Sequence, residues 1–145
     1  ADDGRAFRVL DGLGQGGYAS VVLCRHAGEP GGLFAMKCIP KVRVAKMRDR
    51  LRLQREVRVL TELPQNSFVQ RAVSVFESKT TLFFVANFLA GGDIFYHLTL
   101  RGKMGEFGFA EPEARTLLSE VTAGLEHLHA NNFIHRDIKV RRSFE

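Results

Sequence analysis

Gly14-Gln15-Gly16-Gly17-Tyr18-Ala19-Ser20-Val21 runs directly into Val22-Leu23-Cys24-Arg25-His26. Glycine carries no side chain, so backbone amides in such a loop can approach a phosphate closely. A hairpin turn that merely needs glycine fits the same residues. A dinucleotide-binding loop fits worse, because a helix must follow its glycines and here a strand does.

Arg8 to Leu10 and Tyr18 to His26 read as strands on either side of this turn, and Leu33 to Ile39 reads as a third. Glu29-Pro30-Gly31-Gly32 marks the turn between the last two. A helix is predicted from Val44 to Leu63, stopped by Pro64. Ala72 to Phe76 and Thr81 to Leu89 read as two further strands, the second apolar enough to be buried on both faces. Gly91-Gly92 breaks the pattern before a short helix over Asp93 to Arg101. Ala114, Leu117, Leu118, Val121, Leu125 and Leu128 then recur at helical spacing behind Pro112 and end near Asn131-Asn132. The expected class is α+β, a small sheet-rich lobe followed by the first helices of another.

The 145 residues suffice for one domain that removes roughly 70% of its unfolded surface from water. Hydrophobic content of 45% and charged content of 26% are ordinary for a globular chain. No apolar run is long enough to span a bilayer, and Ala1-Asp2-Asp3-Gly4-Arg5 shows no secretory signal. Cys24, Cys38 and the five histidines form no metal-ligand spacing, so two reduced thiols in a cytoplasmic or nuclear protein are expected. The net charge of +5 permits phosphates, acidic peptides or nucleic acid as partners without choosing among them.

Two charges stand out of place. Lys37 shares a strand face with Leu33, Ala35 and Ile39, where an ammonium either snorkels to water or meets an anion. Glu56 lies in a helical stripe with Leu53, Leu60 and Leu63, where a carboxylate is costly unless a cation meets it. Together they favour a Lys37–Glu56 pair.

In type, order and element the two match a eukaryotic protein kinase, and the chain resembles that family along nearly all its length. His135-Arg136-Asp137-Ile138-Lys139 is similar to the start of the kinase catalytic loop. The resemblance implies a protein-kinase-like fold: a complete N-lobe and hinge over 1–90 and the start of the C-lobe over 91–145. It implies ATP-dependent transfer of phosphate to Ser or Thr of a protein substrate. Leu13, Gly14 and Gly16 would form the flap over ATP. Val21 and Ala35 would cover adenine, and Lys37 with Glu56 would hold the phosphates. Asn87, Phe88 and Leu89 would be the hinge, offering backbone groups to the base, with Asp93 by the ribose. Asp137 would accept the substrate hydroxyl's proton, Lys139 would face the transferred phosphate, and Arg136 would receive a phosphorylated activation loop. Ala90-Gly91-Gly92-Asp93 and Phe109-Ala110-Glu111-Pro112 resemble the AGC group of serine/threonine kinases.

The likeness stops after Lys139. Val140 and Arg141 replace the usual Pro and Glu, and Arg142 replaces the magnesium-binding Asn, although a guanidinium cannot ligate a cation. Ala19 replaces the third loop glycine, tolerable if its φ stays negative. Magnesium is thus expected as the family's cofactor with its ligands missing from this chain. The expectation is a truncated or mis-spliced catalytic domain, inactive alone and prone to self-association through the last helix's apolar stripe. The alternative is a pseudokinase-like module that binds nucleotide or a protein without catalysis. The basic run from Lys41 to Arg58 reads as a solvated helix face. A dock for an acidic or phosphorylated segment on Arg48, Arg52 and Arg55 comes second, and nucleic-acid binding is not expected because no aromatics interleave the run.

Overall fold

The computed structural model describes residues 6–28, 31–44, 46–105 and 108–140, without the side chains of Met47, Arg48 and Arg52. Glu29 and Pro30 of the predicted turn, and Arg141 and Arg142, lie outside the described residues. The chain forms two units, one from 6–63 with 70–89 and the other from 64–69 with 90–140.

The first unit is a five-stranded antiparallel sheet: β1 (Phe7–Gln15), β2 (Ser20–His26), β3 (Phe34–Pro40), β4 (Ala72–Glu77) and β5 (Thr81–Asn87), in the order β1-β2-β3-β5-β4. β1 is longer than its apolar residues suggest. Gly12 and Gly14 pair with Val22 and Val21, and register shifts leave Leu10 and Leu13 as the extra residues. A ladder is made by backbone, so strand pairing continues where side-chain pattern fails, and bulges absorb the mismatch.

Each sheet face carries a buried cluster, while β1 is largely exposed. On one, Ile39, Val44 and Phe84 pack with Leu53, Val57 and Leu60 of helix α1 (Met47–Glu62). On the other, Cys24, Phe34, Met36 and Val85 lie against Phe7, Phe76 and Phe83. Phe84 and Val85 are both buried on opposite faces, as the apolar run in β5 predicts. Burying each such side chain contributes about 1.5–3 kcal/mol. Burial pushes the Cys24 and Cys38 thiols up, so neither is an activated nucleophile.

α1 starts later than predicted, because Lys41–Val44 winds as a 3-10 turn that tucks Val44 under the sheet. Val44 is apolar for that reason and not as part of the helical stripe. The helix ends where Pro64 dictates, with Leu63 extended at φ −61 and ψ 142.

In the second unit, Asp93 caps helix α2 (Ile94–Lys103) by accepting from Tyr96 N at 2.8 Å. Gly92 has φ 77, and a Cβ there would come within 2.8 Å of Tyr96, so only glycine fits. Helix α3 (Glu111–Ala130) has no side-chain acceptor at Ala110, but Glu113 reaches back to Ala110 N at 2.9 Å and to Arg101 at 2.5 Å. Those two bonds hold its carboxyl below the usual range. The helix closes at Asn131 with Phe133 N donating to Leu128 O and Asn132 N to His129 O, and Asn132 takes the left-handed turn at φ 63. Gly124 is buried because the segment 64–69 crosses there: a Cβ would lie 3.3 Å from Phe68 O. His127 Nε2 lies 3.1 Å from Pro64 O. Of the predicted stripe, Leu128 is buried, Ala114, Leu117 and Leu125 are half-buried, and Leu118 and Val121 are exposed, Leu118 by 66%. Among the described residues no helix is long and apolar enough to cross a membrane.

Candidate active site

Register places the first group of predicted residues side by side. Gly14 pairs with Val21, Val21 with Lys37, and Lys37 with Phe84, one row across four strands. Cross-strand partners share a face, so Val21, Lys37 and, two residues away, Ala35 look the same way. That is the face α1 covers. Lys37 Nζ meets Glu56 Oε1 at 2.5 Å, with the side chains 34% and 38% exposed. Leu53 and Leu60, one turn before and after Glu56, pack under Ile39 and Phe84 and fix the helix against β3. The pair inferred from two misplaced charges is therefore made.

Gln15 pairs with Ser20, and Gly16 N donates to Ala19 O at 2.9 Å, closing the hairpin. None of Gly12, Gly14, Gly16 and Gly17 has a positive φ, and a Cβ on Gly17 would meet nothing within 4 Å. The hairpin therefore does not need glycine for backbone conformation. What these residues supply is a main chain uncovered by side chains. Ala19 also keeps a negative φ, so its methyl group causes no strain. Leu13 sits at a β1 bulge, 38% exposed.

At the end of β5 the structure narrows the expected hinge. Phe88 N is committed to Leu33 O at 3.0 Å, so its N–H is not offered to a ligand. Leu89 is 68% exposed. Asn87 O accepts from Gln70 Nε2 at 2.8 Å. Sequence reasoning missed Gln70. Antiparallel pairing of Ala72 with Ala86 carries the residues before β4 alongside those after β5, and that register was the signal that could have found it.

The remaining predicted residues lie in the second unit. Asp93 is half-buried as the α2 cap, a role its expected ribose contact did not include. Arg136 has φ 66, a left-handed conformation that non-glycine residues adopt rarely and at a cost of about 1–3 kcal/mol. Next to it, Asp137 N donates to His135 Nδ1 at 3.2 Å, and the Asp137 carboxylate meets Lys139 Nζ at 2.8 Å. That ammonium holds the Asp137 carboxyl below the usual aspartate range.

Among the described residues no three His, Cys, Asp or Glu side chains converge as metal ligands. A cavity of about 460 Å³ between α2 and α3, lined by Ile94, Phe109 and Leu117 among others, contains none of the predicted site residues.

Residues 7–141 match the family described as protein kinase domain. The chain is 35% identical over 139 residues to ribosomal protein S6 kinase alpha-1 of Mus musculus, covering 94% of this chain and 18% of that protein. It is 34% identical to ribosomal protein S6 kinase alpha-2 of Homo sapiens, covering 94% of this chain and 18% of that protein. To ribosomal protein S6 kinase 2 beta of Xenopus laevis it is 36% identical, covering 92% and 20%. The chain thus spans about a fifth of the length of the curated relatives it matches. With the match running over the glycine hairpin, the Lys37–Glu56 pair and the His135-Arg136-Asp137 turn alike, the chain belongs to the protein kinase domain family.

Proposed function

We propose that this domain binds ATP and serves a serine/threonine protein kinase that transfers the γ-phosphate to a hydroxyl on a protein substrate. The Lys37–Glu56 ion pair carries the reading. An ammonium on a covered sheet face is held by a carboxylate from α1 while remaining a third exposed, so it keeps donors for a polyanion. Lys37 would contact ATP phosphates beneath the uncovered backbone of Gly14 and Gly16. Leu13, Val21 and Ala35 would bracket the base, with Asn87 O and Leu89 N as its polar partners. Asp93 would meet the ribose with the carboxylate oxygen not used for capping. Asp137, kept ionised by Lys139, would orient the attacking hydroxyl and take its proton, while Lys139 would neutralise charge on the transferred group. Arg136 would receive a phosphorylated activation loop. Magnesium, as in the family at large, would supply charge neutralisation to the ATP phosphates. The basic run around α1, where Arg55 is exposed, would dock an acidic or phosphorylated segment.

A second reading, nucleotide binding without transfer, is favoured by Arg142 in place of an Asn. Radiolabelled phosphate transfer to a mixed Ser/Thr peptide library separates the two. Transfer that Asp137→Asn abolishes supports the enzyme. ATP binding with no transfer under any metal supports the second reading. Absence of both removes the nucleotide role altogether.

A further inference from the structure

Gln70 lies outside every motif, yet its Nε2 donates across seventeen residues of sequence to the main-chain oxygen of Asn87 at 2.8 Å. Where that oxygen points follows from its own peptide. Phe88 N–H, on the same trans peptide, donates to Leu33 O beside β3. In a trans peptide the N–H and C=O point opposite ways, so Asn87 O faces away from β3, towards the edge where the chain enters β4. Next to Gln70, Arg71 Nη2 donates to Thr61 O at 3.0 Å and ties this entry segment to the end of α1. The carboxamide nitrogen must be the atom facing Asn87, because a carbonyl can only accept.

We propose that Gln70 sets base selection at the nucleotide site, so that 6-oxopurine nucleotides are tolerated beside 6-aminopurine ones. The proposal rests on the reading above that Asn87 O is the base-facing acceptor. A bare carbonyl there satisfies the amino group of adenine and repels the keto oxygen of a 6-oxopurine. The planar amide of Gln70 changes both terms. One of its N–H groups engages Asn87 O, which leaves a second N–H to donate to a keto oxygen. Asn87 O must also divide itself between Gln70 and any incoming amino group, which weakens the adenine contact. A single residue thereby narrows the preference from both sides.

The test is competition binding of ATP and ITP, which differ at the 6-position and in the proton on N1, to purified wild type, Gln70→Val and Gln70→Glu. The N1 proton is common to all three proteins and cancels from the change in the ratio. Val removes the amide. Glu keeps its shape and acceptors but has no donor when ionised. Loss of one hydrogen bond corresponds to about a tenfold change. Both variants should therefore raise the preference for ATP over ITP about tenfold, with ITP weakened and ATP strengthened in Gln70→Val. A purely structural role would weaken both nucleotides together and leave the ratio unchanged, which overturns the proposal while nucleotide binding stands. Wild type that binds neither nucleotide overturns the proposal and the nucleotide reading alike. The variants are read independently, so if one does not fold the other decides.

Discussion

Replacing Glu56 with Gln removes a charge and keeps the shape, and its effect can be worked from the geometry. The carboxylate sits 2.5 Å from Lys37 Nζ, with both side chains exposed by about a third. At an effective dielectric near 20, two charges at such contact attract by at least about 4 kcal/mol. Desolvation and the roughly 2 kcal/mol of rotamer entropy in a lysine offset most of it. A net stabilisation of about 1 kcal/mol is expected, near the upper end for partly exposed pairs. The larger consequence concerns ATP. With Gln at position 56, the ammonium regains its rotamers and must be immobilised again on binding, so affinity should fall about tenfold. Lys37→Met should cost more, roughly 10- to 100-fold, since a charged hydrogen bond to phosphate is lost. If Glu56 acts through Lys37, the double variant binds no worse than Lys37→Met. Urea unfolding and calorimetric titration of ATP measure both quantities. Additive losses, or Glu56→Gln that binds ATP as wild type does while Lys37→Met fails, would refute the coupling.

Three other outcomes follow from local geometry. The Asp137 carboxyl is depressed by Lys139, so that pair's contribution is present above the ordinary aspartate pKa and is lost as pH falls through the lowered value. Carboxyl NMR should show a midpoint below that of a free aspartate, and Lys139→Ala should move it up; an unmoved midpoint would contradict the pairing. Ile39→Ala, at a site with no exposure on the same sheet face as Lys37, should cost about 2–5 kcal/mol in urea unfolding. Gly124→Val should destabilise by about 1–3 kcal/mol, because Phe68 O already stands 3.3 Å from where a Cβ would go; a neutral result would mean that the segment 64–69 does not lie on α3.

The Lys37–Glu56 pair was legible because each residue is anomalous locally: a cation on an apolar strand face, an anion in an apolar helical stripe. The ends of α1 and α3 were legible for a related reason, since Pro64 and Asn132 impose backbone conformations by their own chemistry. What stayed hidden depends on partners distant in sequence or on backbone alone. The extension of β1 through Gly12 and Gly14 has no side-chain signature. Val44 looked helical, but its burial comes from a 3-10 turn beneath β3 and β5. Asp93 also caps α2 through the N–H of Tyr96, a local role that its expected ribose contact left unread. Gln70 is an unremarkable polar residue until the β4–β5 register sets it beside Asn87 O.

Whether the Lys37 ammonium faces nucleotide phosphates can be asked of that atom itself. An ATP acyl phosphate delivers its acyl group to a lysine held against the phosphate chain, and peptide mass spectrometry reads which lysine has reacted. Acylation at Lys37, suppressed by excess ATP and reduced in Glu56→Gln, is the expected result. Labelling spread over surface lysines, or at Lys37 but indifferent to ATP, would contradict it.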